Sequence, residues 1–264
     1  MKSIIKREFK VNLKSFIIWL SVIIFFGSMM SLMYPMISES ADDYVALMES
    51  FPEELLEAFG FEADSFSTVT KFYATEGYLF ISLMFCIYAS ILAGGILSKE
   101  ESEGTSEYLL VKPINRKAII AAKRKVVLGY TLLMAIIPLI VNIGLFAIVD
   151  TLDIKALLIL SGLSFTAALT FGSISMLISV FISKPRKVLS IGMGLVFGSY
   201  LIQIISMLSE KLEFLKHISI FEYIAAPKVV SDYEVNFWYI SVMVIIIIIT
   251  NVAATKFYMK KDIN

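Results

Sequence analysis

Charged residues are absent from six intervals of the chain: 15–38, 77–98, 126–149, 156–183, 188–209 and 235–255. Each is at least 21 residues long. About 20 apolar residues at a rise of ~1.5 Å cross a hydrocarbon core of roughly 30 Å. The pattern therefore predicts six transmembrane helices and an all-α, polytopic membrane protein forming one transmembrane domain over residues 1–264. The first interval is long and aromatic (Phe16, Trp19, Phe25, Phe26), and no small-residue cleavage site follows it. It reads as an uncleaved span rather than a secretory signal.

The polar intervals fix an expected orientation. Lys and Arg number 18 in residues 1–14, 99–125, 184–187 and 256–264, against 5 in the remaining loops. By the positive-inside rule both termini are expected in the cytoplasm. Ahead of the first span, Ile4, Ile5, Phe9 and Leu13 recur at helical spacing opposite Lys2, Lys6, Lys10 and Lys14. This predicts an amphipathic helix in the interface, its lysines toward anionic lipid headgroups.

The first outer loop, 39–76, holds ten acids against the single base Lys71. Within it Ser50 and Glu53 form a capping box with Pro52 in the first turn, and Gly60 supplies a stop, so FPEELLEAF is expected as a short surface helix. That loop is either a lid on the bundle or an acidic vestibule for a cationic substrate. The stretch 210–234 is mixed in character and is expected to dip back toward the membrane. Trp238 and Tyr239 mark the outer end of the last span and Lys256, Lys260 and Lys261 its inner end.

Inside the spans, Gly94 and Gly95 lie near the end of the second, and Pro138 and Asn142 interrupt the third as a kink or a hinge. Small residues collect in the fourth, Gly172 among them, and Ser190, Gly194 and Gly198 recur at spacing four in the fifth. Such rows let helices approach closely, within one chain or across a dimer seam.

Composition sharpens this picture by exclusion. Hydrophobic residues make up 58% and charged ones 17%, far from the balance of a soluble domain. Net charge is zero, which gives no sign of a nucleic-acid partner. Cys86 is the only cysteine and His217 the only histidine, so neither a disulfide framework nor a His/Cys metal site is expected. No G-x-x-x-x-G-K-[ST] occurs, so the chain does not itself hydrolyse a nucleotide, and no nucleophile–base set marks it as an enzyme. No Asp or Glu lies in the six intervals, which weakens a proton- or sodium-coupled carrier. The energy source is expected in another chain.

Residues 98–125, SKEESEGTSEYLLVKPINRKAIIAAKRK, concentrate the remaining chemistry, with four carboxylates and seven bases, all of the bases but Lys99 following the carboxylates. The second span is expected to continue past Ser98 as a helix carrying Glu100, Glu101, Glu103 and Glu107. Gly104 permits a bend, Tyr108, Leu109 and Leu110 give an apolar face, and Pro113 stops the helix. Asn115 is the expected N-cap of the next helix. Arg116 to Lys125 are expected to anchor it among headgroups, and Glu101 to Leu110 to contact a soluble partner.

This segment resembles the cytoplasmic segment of ABC transporter permeases of the type-2 export class, which reads E-x-E-x-G-T-x-E-x-L-L-x-x-P-[IV]-x-R and then a short helix ending in Lys. Glu101, Glu103, Gly104, Thr105, Glu107, Leu109, Leu110, Pro113, Ile114, Arg116 and Lys123 match. Ser106 departs from it, since the family more often has an apolar residue there. The N-terminal basic helix, FPEELLEAFGF and ISIFEY are also similar to that family. The resemblance implies a non-catalytic subunit of an ATP-driven exporter in the cell membrane. It implies two permease chains, identical or not, and two ABC ATPase subunits that bind ATP and Mg. The segment would be a coupling helix in a groove of the ATPase. The competing readings are a stand-alone carrier or channel, and a membrane anchor or sensor that does not transport.

Overall fold

A computed structural model describes residues 2–40, 66–102, 115–208 and 210–261. Its described residues are helical, with no strand among them. In order they form α1 (Lys2–Glu39), α2 (Val69–Phe72), a π-helical turn (Tyr73–Gly77) and α3 (Tyr78–Ser102). There follow α4 (Arg116–Val149), α5 (Ile154–Phe181), α6 (Pro185–Met207), 3₁₀ turns at Glu210–Ile218 and Glu222–Ile224, α7 (Pro227–Asp232) and α8 (Phe237–Lys260). Among the described residues six helices are long and apolar enough to cross a membrane: α1, the α2–α3 unit, α4, α5, α6 and α8. This is a polytopic, all-α membrane protein. The helix expected at FPEELLEAF lies outside the described residues.

α1 has 38 residues, or about 57 Å of helix. That is well beyond a hydrocarbon core of roughly 30 Å. The amphipathic stretch expected in the interface is the first turns of α1 and runs into the span without a break. Its apolar side has a protein partner. Ile4 is buried with Ile119 and Ala122 of α4, and the Phe9 ring lies 4.7 Å from that of Tyr130, whose hydroxyl donates to the Phe9 carbonyl. Lys2, Lys6, Lys10 and Lys14 stay exposed.

α3 and α5 form the centre of the bundle and run parallel, with α6, α8, α4 and α1 packed around them. Small and hydroxylated side chains make this approach close. The Tyr78 hydroxyl donates to the Leu160 carbonyl at 3.1 Å. Ser82 and Ser164 pair at 2.7 Å, and Ser90 and Ser175 at 2.5 Å. Thr250 of α8 donates to Ser173 at 2.9 Å. Interhelical bonds of this kind average only about 0.6 kcal/mol in membranes. They therefore set register more than stability. The peripheral helices turn apolar side chains outward, such as Phe25, Ile140, Leu201 and Ile249, as a lipid-facing surface requires.

Candidate functional site

The charged side chains among the described residues collect at the two ends of the bundle. At the end that carries residue 2, α3 runs on to Ser102, so the backbone of Glu100 and Glu101 is helical. α4 begins after Asn115, whose side chain caps it by accepting from the Lys117 amide at 3.0 Å. Glu103, Gly104, Thr105, Glu107, Tyr108, Leu109, Leu110 and Pro113 lie outside the described residues.

The bases at the start of α4 divide by direction. Lys117 and Lys125 are exposed, as headgroup anchoring requires. The other three turn into the protein, which corrects the expectation for Arg116 to Lys125 as a set. Lys123 is 0% exposed and donates from Nζ to the Ile96 carbonyl of α3. Arg124 donates to the Asn251 carbonyl and to Thr255 Oγ1 at 2.5 Å, both on α8. Arg116 donates to the Lys261 carbonyl at the end of α8, at 2.6 Å. The reason is helical periodicity. Lys123 sits in the inward stripe Ile119–Ile120–Lys123–Val126–Val127–Tyr130, all of them buried. An ammonium taken out of water costs several kcal/mol unless polar partners replace the solvent; the Ile96 carbonyl is one such partner.

The glycines singled out by spacing divide as well. A Cβ on Gly172 would lie 3.3 Å from the Ala89 carbonyl, so this residue does seat α5 on α3. Gly194 and Gly198 face open space. The glycine of α6 that meets the bundle is Gly192, where a Cβ would fall 2.5 Å from Ser90 Oγ and 2.9 Å from Ser175 Oγ.

In the half of the bundle nearer the α4–α5 turn a cavity of about 40 Å³ opens beside Tyr73, Tyr78, Pro138, Asn142 and Ser164. The π-helical turn puts Tyr73 there; such turns insert an extra residue and re-aim the side chains after them. Asn142 is 5% exposed, and its Oδ1 has no hydrogen-bond partner.

The opposite end is closed by a cluster around the α4–α5 turn. Asp150 Oδ2 accepts from the Val69 amide at 3.2 Å. Asp153 caps α5 through the Ala156 amide at 3.0 Å and accepts from the Tyr233 hydroxyl at 2.8 Å. Lys155 Nζ stands 3.8 Å above the Tyr233 ring. Tyr233 adopts a positive φ of 58°, rare for a side chain of its size. Partial burial pushes the Asp150 carboxyl upward. The Thr151 and Val69 amides and the Tyr34 hydroxyl outweigh this together and hold it below the usual carboxylate range. In the 210–234 stretch, Phe221 is 0% exposed and packs 5.8 Å from Phe171 and 5.9 Å from Tyr200. Phe221 thus seats this stretch against α5 and α6.

Among the described residues, six helices apolar and long enough to cross a membrane define an all-α polytopic membrane protein. The chain belongs to the family described as ABC-2 family transporter protein, whose pattern it matches over residues 2–263. No curated protein matches the chain.

Proposed function

We propose that this chain is the membrane-spanning subunit of an ATP-driven exporter. Separate ABC ATPase subunits bind ATP and Mg and hydrolyse the nucleotide. Residues 100–113 on the cytoplasmic side contact them, Glu101 to Leu110 foremost, and their movement alternately opens a pathway through the bundle. The observation that carries this reading is family membership over nearly the whole chain. Two further features support it. The chain has no phosphate-binding loop of its own, and α3 and α4 bracket the proposed contact segment as helices.

Two permease chains make the working unit. Ser190, Gly194 and Gly198 on α6 are the proposed place for their close approach, since among the described residues nothing lies within 4 Å of where a Cβ on either glycine would stand.

The test is co-expression with the ATP-binding subunits of the same cell. An ATPase should co-purify, and its hydrolysis should change when it is reconstituted with this chain. Transport by the chain purified alone would instead establish the carrier reading.

A further inference from the structure

Among the described residues Lys123 is the most deeply buried charge at the N-terminal end of the bundle, and its position relative to the chain is specific. Its ammonium reaches the Ile96 carbonyl. Past that point α3 continues to Ser102, about 9 Å of helix. On the other side α4 runs from Arg116 to Lys123, about 10 Å. The clasp thus ties together the two helices that flank residues 103–114, roughly two turns inside the bundle from where each helix ends. A surface lysine would turn its ammonium out to headgroups. This one turns in, and the carbonyl it finds belongs to the neighbouring helix.

We propose that Lys123 is a positioning residue for energy coupling, joining α3 and α4 so that displacement of their projecting ends is delivered to both spans as one movement. The proposal rests on the ATPase-coupled reading given above. Without the clasp the two projecting ends would still move, but the bundle would not follow. The Ile96 carbonyl lies within α3 and keeps its helical partner when the ammonium is removed. Methionine at position 123 supplies a similar unbranched stem without charge. Lys123→Met therefore keeps the stem and removes the donor, and Lys123→Arg keeps a donor; the melting temperature of each variant complex is read alongside the distances.

The experiment uses the complex of the full chain with its ATPase in nanodiscs, in a Cys86→Ala background. Spin labels at positions 99 and 117, both exposed, report on the two projecting ends. Labels at 148 and 237, whose native side chains are 82% and 77% exposed, report on the far ends of α4 and α8. Distances are measured by pulsed electron resonance with and without ATP and vanadate. In the wild type both pairs should shift. In Lys123→Met the first pair should still shift while the second loses at least half of its change. ATP turnover should stay within about threefold of wild type, and Lys123→Arg should recover the second shift.

A second pair that moves as in the wild type overturns the proposal while leaving the coupling reading intact. So does a Lys123→Met complex whose thermal stability, turnover and both shifts fall together, because the residue is then only structural. If nucleotide moves neither pair in the wild type, the coupling reading fails and the clasp has no movement to deliver.

Discussion

Gly27 of α1 lies directly against the amide of Asn142 on α4: a Cβ at position 27 would fall 2.8 Å from Asn142 Oδ1. Every real Cβ contact is longer, so a side chain there must displace the amide or part the helices. Gly27→Val is expected to destabilise the protein by about 1–3 kcal/mol, the usual cost of overpacking. Gly27→Ala should cost less, and adding Asn142→Ala should restore most of it. Cys86 provides the readout, since it is fully buried and the only thiol. Its reaction with a thiol-specific dye during heating reports unfolding.

The two faces of α6 predict opposite responses. Gly192→Val should be severe, because the Ser90 and Ser175 hydroxyls occupy the space it needs. Gly194→Ala should leave the monomer's melting temperature unchanged, since nothing stands within 4 Å. The same dye assay compares them. If the second chain seats on this face as proposed, Gly198→Cys should form an intermolecular disulfide under mild oxidation, whereas Ile249→Cys, on the outward face of α8, should not.

Asp150 gives a pH dependence of definite sign. Its carboxyl is held below the ordinary range, so it binds protons less readily folded than unfolded. Its stabilising effect is full above the unfolded value, near pH 4, and is lost as pH falls through the folded value. Melting temperature should be insensitive to this group at neutral pH and should decline on acidification. Asp150→Asn should lower it at pH 7 and flatten the acid limb.

Tyr233→Phe removes the hydroxyl that Asp153 accepts from and leaves the ring under Lys155. The expected effect is a small loss of local stability, because solvent competes for this exposed bond. Faster limited proteolysis between α7 and α8 would report it, and an unchanged rate would show that the cluster does not hold this end closed.

Within the proposed contact segment, Glu103→Lys reverses a charge and Gly104→Trp adds bulk. Each should separate ATP hydrolysis from ATP-dependent movement of the spans by tenfold or more in the reconstituted complex. Unaltered coupling in both would place the contact elsewhere.

Much of this molecule is legible in the sequence because lipid imposes so simple a rule. The six charge-free intervals are the six spanning helices, and Asn115 caps α4 where a turn residue after Pro113 pointed. What was not legible depends on direction. A count of bases treats Lys117 and Lys123 alike, although one faces outward and the other sits 0% exposed. The signal was present in the spacing of Ile119, Ile120, Val126, Val127 and Tyr130, which places position 123 on the inward stripe. Spacing alone also chose Ser190, Gly194 and Gly198 on α6, whereas Gly192 lies on the opposite face and makes the contact. The joining of Asp150 to Val69 and of Asp153 to Tyr233 links distant parts of the chain through short polar side chains, and no local pattern announces it.

Consecutive residues on a helix point about 100° apart. Lys123 holds α3 and Arg124, the next residue, holds α8. Were α4 to roll about its own axis, one of these two grips would have to tear. Rocking about the pair preserves both. The adjacent bases therefore act as two pins set at an angle, and together they fix the rotational setting of α4 against α3 and α8.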